Sequence, residues 1–269
     1  ITYGDWSSDV CSSDLAGQTL DSKPYGDRLE HGIRYILSQQ TTDGAFTNSG
    51  AMMFGQGITT LLLAEVTGMG SEGTKLTPHL NKAVRFILRA QAVEKGEFHA
   101  GGWRYFPDST DSDLAVTIWQ IAALRSALHA GVRVPPESLD RAARYVARCQ
   151  RPDGGFAYQP GGAPNQGRTA AGMIALRMCN RFDDNQRARA WLKAHPLKWE
   201  DEYVYHSAFF CANAGVAFDL ATRQLPDGSW PAPPTGVDET AAGPIYRTAM
   251  AILALTARDH YLPVFMVND

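Results

Sequence analysis

One seven-residue phrase recurs along the chain and constrains its fold more than any other feature. It reads QTTDGAF from Gln40 to Phe46, QRPDGGF from Gln150 to Phe156 and QLPDGSW from Gln224 to Trp230. A stretched copy runs from Gln91 through Gly102 to Trp103, and a degraded copy lies around Trp191 to Pro196. The residues ahead of the glutamines also repeat, as GIRYILSQQ, AVRFILRAQ and ARYVARCQ, with Tyr35, Phe86 and Tyr145 each five residues before a Gln. Asp-Gly after a helical stretch is a stop signal, because glycine accepts positive φ and aspartate bonds its own backbone. Gly44, Gly154 and Gly228 are therefore expected to end or follow helices at positive φ. The aromatic can fold back on the adjoining helices, and the Gln amide can tie the loop to a neighbouring helix end. Self-similarity of this kind marks a repeat architecture.

Between the phrases the chain is poor in charge. Helices are expected over residues 55–67, 113–130, 168–179, 203–214 and 244–258, where Leu114, Ile118, Ile121 and Ala122, for example, follow the helical period. Met250, Leu253, Ala254 and Ala257 do the same. Ala-rich helices that are apolar on most faces are buried ones. Charged amphipathic helices should thus alternate with apolar ones in five pairs, with no alternating strand pattern between turns. The expected fold is all-α: outer helices around inner ones, closed as a barrel or open as a solenoid. The longest apolar stretches, ITTLLLAEV, AVTIWQIAAL and TAMAILALTA, fall short of the roughly 18 residues that span a bilayer, so no transmembrane segment is expected.

Composition narrows the partners. The 269 residues carry 28 acids against 25 bases with no basic stripe, which argues against a nucleic-acid groove. Cys149, Cys179 and Cys211 sit in apolar helical patterns without CxxC pairing, and read as small buried hydrophobes. Residues 5–15, DWSSDVCSSDL, match one reading frame of a common short-read sequencing adapter and show no hydrophobic period. Residues 1–15 are therefore read as an artefact that packs on nothing, a natural Ser/Asp-rich tail being the other reading. Residues 16–25 read as a linker and 26–269 as a single repeat domain. Targeting cannot be judged from such an N-terminus, and the cytoplasm is the default location.

The repeats resemble the QW repeats of squalene-hopene and oxidosqualene cyclases and of protein prenyltransferase β subunits, over residues 26–263. FGQGITTLLLAEVTGM, GGWRYFPDSTDSDLAVTIWQ and GPIYRTAMAILAL are similar to bacterial prenyltransferase/squalene oxidase repeat proteins. The resemblance implies an α/α toroid of five or six helix pairs, with any site in a central cavity at one end of the inner helices. It also implies an apolar, isoprenoid-like ligand.

Cyclases of this group protonate an alkene with the middle Asp of a DxDD-T-A signature. Matching Ala115 and Trp119 to the family's Ala and Trp puts Ser112 at the donor position, and serine has no acidity useful for that step. Shifting by one residue puts Asp113 there but replaces the next Asp by Leu114. Asp111 and Asp113 are thus candidate catalytic acids, or equally caps of a helix start. His206 lies in a segment similar to the zinc-His segment of protein prenyltransferases. Gly167 to Ala170 stand where the Asp-x-Cys ligands should be, and one His is not a zinc site. No metal or cofactor is implied, and His206 reads as a hydrogen-bonded rim residue. Phe54, Gln56, Arg168, Tyr205, His206, Tyr246 and Arg247 complete a candidate ring at inner-helix N-termini. Gathered at one mouth, such termini suit an anionic headgroup such as diphosphate, and the aromatics suit an isoprenoid tail. The same residues could serve only to finish helix starts. The alternative function is a non-catalytic scaffold for a protein or glycan partner.

Overall fold

The computed structural model describes residues 26–46, 52–68, 73–181, 185–257 and 263–265. The segments read as artefact and linker, 1–15 and 16–25, lie outside the described residues.

The described residues form two sets of helices that alternate along the chain. The outer set is α1 (Gly26–Ser38), α3 (Thr77–Ala92), α5 (Pro136–Cys149) and α7 (Asn185–Ala194). The inner set is α2 (Met52–Thr67), α4 (Leu114–His129), α6 (Gln166–Met178), α8 (Val204–Asn213) and α10 (Gly243–Leu255). A short α9 (Val237–Ala241) precedes α10. Strands are absent among the described residues; three isolated bridges, including Trp103 with Asp113, are the only extended pairings there.

Patterning explains which set goes where. Outer α5, PESLDRAARYVARC, begins with a proline that suits the first helical turn, and buries Leu139, Ala142, Tyr145, Val146 and Cys149 along one stripe. Inner α4 is buried on nearly every face from Leu114 to Ala127. The inner helices pack in series, α2 on α4, α4 on α6, α6 on α8 and α8 on α10, while α3, α5 and α7 lie outside them. Close approach needs small residues at the crossings. A Cβ on Gly57 would come within 2.9 Å of the Trp119 Cβ, and one on Gly167 within 2.4 Å of the Ser207 hydroxyl.

The repeat phrase is a latch. Gly44, Gly154 and Gly228 have φ of 101°, 98° and 85°, and Gly101 of the stretched copy has 96°. At the first three loops the glycine also abuts the next outer helix: an added Cβ would meet the carbonyl oxygen of Lys82, Arg141 or Arg187 at 2.3, 2.3 and 2.5 Å, from Gly44, Gly101 and Gly154 in turn. The glutamines reinforce this. Gln40 donates to the His79 carbonyl of α3, and Gln91 donates to Gly101 and to Ser138 of α5. The loop aromatic is held from the inside, where Gln56, Thr117 and Thr169 accept from the backbone N–H of Phe46, Trp103 and Phe156.

The last copy departs from expectation. No full amphipathic helix precedes Gln224; Gly215 turns the chain at φ 80° after α8, and a 3-10 turn, Ala221–Arg223, stands in its place. The Gln224 amide bonds within its own loop, to Gly228, and an added Cβ on Gly228 would meet nothing closer than 4.0 Å.

Cys149, Cys179 and Cys211 are free and buried, and burial pushes each thiol up to about 12. With so little thiolate, none should be alkylated in the native protein. Peptide mapping after a brief iodoacetamide pulse should find all three modified only in denaturant, and native labelling of any one would show that its helix opens.

Candidate functional site

Asp113 is the N-cap of α4, where its extended backbone (φ −135°, ψ 158°) lets one carboxylate oxygen accept from the Val116 N–H at 2.8 Å. The residue is fully buried. Its other oxygen receives the Arg104 guanidinium at 3.1 Å, and Arg104 also reaches half-exposed Asp111 at 3.3 Å. Burial pushes the Asp113 carboxyl up to about 6, against the opposing pull of the Val116 N–H and of Arg104. Desolvation of a carboxylate this deep outweighs one cap bond and one partly exposed cation. Ser112, at the family's donor position, is turned to the His99 loop, its hydroxyl donating to the His99 carbonyl at 2.8 Å.

Arg104 is sandwiched. Its guanidinium lies 4.5 Å from the Tyr105 ring and 5.2 Å from the Tyr158 ring, and donates to the Tyr158 hydroxyl at 2.8 Å. The two tyrosine hydroxyls bond to each other. Phe54 of α2 stacks on Tyr105 with centroids 6.4 Å apart, and Arg168 of α6 sits 5.3 Å from the Tyr158 ring. His206 of α8 is pushed down to about 4, by burial first and by the Arg168 charge second. Ring and cation contacts thus run pairwise from Phe54 of α2 through Tyr105, Arg104 and Tyr158 to Arg168 of α6, with Asp111 and Asp113 on Arg104. The Arg168 charge extends the series to His206 of α8.

The remaining ring candidates are engaged elsewhere. Gln56 is buried, donating to the Gly44 carbonyl and accepting from Phe46 N–H. The Tyr205 hydroxyl donates to the Pro231 carbonyl at 2.7 Å. Arg247 donates to the carbonyls of Trp230, Glu239 and Thr240. Tyr246 is half-buried near Glu239 and Tyr203, its phenol pushed up by burial first and by those neighbours second. His206 differs from the hydrogen-bonded rim residue expected: its Nε2 is buried without a partner.

Arg104, Tyr105, Tyr158 and Glu239 were not among the sequence candidates. Tyr105 and Tyr158 each stand two residues after a repeat aromatic, Trp103 and Phe156, so aligning the repeats would have found them. Glu239 caps α8 from another helix, accepting from the N–H groups of Tyr205 and His206 at 3.3 and 2.9 Å. No local pattern announces such a contact. Among the described residues no group of three or more His, Cys, Asp or Glu is placed to hold a metal ion, and no helix is long and apolar enough to cross a membrane.

Comparison with known proteins agrees with the fold. Drimenyl diphosphate synthase from Streptomyces showdoensis is 28% identical over 156 residues, which are 57% of this chain and 28% of that protein, so the chain spans well under half of its relative. A glycosyl hydrolase family 88 structure from Bacteroides vulgatus superposes over 96% of this chain and 75% of its own, with a TM-score of 0.53 and 14% identity, a likeness of fold alone. The model of the prenyltransferase alpha-alpha toroid domain matches residues 10–202. Helical pairs, latched loops and sequence match agree: this chain belongs to the prenyltransferase alpha-alpha toroid family.

Proposed function

We propose that this toroid binds an isoprenoid-type ligand, its apolar chain among the inner helices and an anionic headgroup such as diphosphate at Arg168. The observation that carries the reading is the ring-and-cation series from Phe54 to His206. Arg104 already faces Asp111 and Asp113, so Arg168 is the cation assigned to the headgroup. Tyrosine faces beside it suit polarisable alkene chains. The relative named for a diphosphate product fits the same ligand class. Asp113 is the residue we assign as proton donor if the domain turns over, since burial keeps part of it protonated near pH 6. Both of its oxygens are occupied by Val116 and Arg104, so squalene cyclisation by the purified chain is expected to be absent.

Equilibrium dialysis with farnesyl diphosphate checks the reading. Arg168→Gln should weaken binding roughly tenfold or more, the worth of one charge-assisted contact. Absence of binding, or binding indifferent to Arg168→Gln, would sink the headgroup assignment, and robust squalene turnover would sink the expectation of inactivity. A non-catalytic scaffold for a protein or glycan is the second reading. It draws on exposed Phe98, Phe106 and Val237, large apolar side chains that a partner could cover.

A further inference from the structure

Aromatic side chains from two inner helices that are not neighbours in the series meet inside the fold. Trp119 of α4 stacks on Phe209 of α8 at 5.7 Å and 7°, and packs at 5.5 Å against Phe210. His206 lies edge-on to Phe210 at 4.8 Å and 6.4 Å from Trp119, all between ring centroids. Phe265, from a 3-10 turn (Pro263–Phe265) packed on α4 and α6, meets Phe209 edge-on at 5.3 Å.

A cluster built only for packing would have no use for polar atoms at its centre. This one has two, the Trp119 indole Nε1 and the His206 Nε2, both buried and without a hydrogen-bond partner. Trp119 as a whole is 5% exposed. Unpaired buried polar atoms are costly and rare, and a site that holds them is one where a ligand group can be rewarded. The indole N–H can only donate. The His206 ring, pushed down to about 4, is neutral near pH 7 and offers an N–H or a lone pair at Nε2 according to its tautomer. A hydroxyl satisfies either case, accepting from the indole while donating to or accepting from the imidazole. A hydrocarbon would leave both atoms unpaired, and an ionised group would be stranded among aromatic rings.

We infer that Trp119 and His206 form a polar notch that holds the hydroxyl of an apolar alcohol within this aromatic centre. The inference rests on the reading of the inner-helix centre as a ligand space, and adds to it the class of ligand. It is tested on the full chain by equilibrium dialysis of farnesol, the hydrocarbon farnesene and farnesyl diphosphate. Farnesol should bind about tenfold more tightly than farnesene, as expected for pairing a buried donor. Trp119→Phe keeps the ring stack and His206→Phe keeps the edge contact; each should bring the ratio of farnesol to farnesene affinity most of the way to one. Because either variant suffices, misfolding of one does not remove the test. Equal affinities for alcohol and hydrocarbon in the unmodified chain would overturn the notch, as would a preference that survives the substitutions. If farnesyl diphosphate binds and neither neutral compound does, the notch falls and the headgroup reading stands. If none of the three binds, both fall.

Discussion

Gly154→Ala should lower the melting temperature by roughly 10 °C, while the same change at Gly228 should lower it by about half as much. Both glycines have positive φ, 98° and 85°, and a side chain there costs about 1–3 kcal/mol of backbone strain. They differ in their surroundings. A Cβ on Gly154 would lie 2.5 Å from the Arg187 carbonyl oxygen, backbone that cannot swing aside, whereas on Gly228 it would have space. Overpacking adds about 1–3 kcal/mol at the former site. For a domain of this size each kcal/mol moves the midpoint by about 2–4 °C. Paired thermal melts decide the matter, and equal shifts would mean that the latch against the next outer helix contributes nothing.

Asp113→Asn should change how stability depends on pH. The Asp113 carboxyl is pushed up from 3.8 to about 6 by burial, so the folded chain holds that proton more tightly than the unfolded one. The contribution to stability is complete below the unfolded value and is lost as pH rises from about 4 through 6. The loss amounts to about 3 kcal/mol for this one group. Asparagine still accepts from the Val116 N–H but has nothing to titrate. Between pH 4 and pH 7 the difference in melting temperature should therefore move in favour of Asp113→Asn by roughly 5–10 °C. Comparing the two proteins cancels the titration of other buried acids such as Glu65 and Glu239, whose carboxyls are also raised by burial. A difference that stays flat across that range would show that Asp113 does not titrate as a buried acid.

What the sequence disclosed follows from where the information sits. The inner helices expected at 55–67, 113–130, 168–179, 203–214 and 244–258 are found at 52–67, 114–129, 166–178, 204–213 and 243–255, because an apolar run and its punctuation are local. The same holds for the Asp-Gly stops, which need only a helix end and a positive φ. Tertiary partners are not local. Asp113 could be read as acid or cap, but Arg104, which supplies its counter-charge, could not be assigned without knowing that the loop from Trp103 doubles back to give the Asp113 N–H a bond to the Trp103 carbonyl. Gln56 looked like a cavity residue because a carboxamide on an apolar helix invites that reading. Its partners, Gly44 and Phe46, lie in the loop just before it, and comparison with Thr117 and Thr169 at the equivalent loops would have shown the tie. The segment before Gln224 is a related case: the phrase is intact there although a 3-10 turn stands where the amphipathic helix is expected.

The latches have a direction. The Gly44 loop abuts α3, the Gly101 loop abuts α5 and the Gly154 loop abuts α7, each grasping the outer helix that comes after it. The module that coheres in space is therefore out of phase with the hairpin that the chain spells out: it joins the loop of one repeat to the outer helix of the next. A duplication or loss of one such module leaves every junction between grasping loop and grasped helix intact, since each junction uses the same close approach of a glycine to a helix carbonyl. Toroids of different circumference can arise from this design by changing the number of turns of the ring, with no new interface to invent.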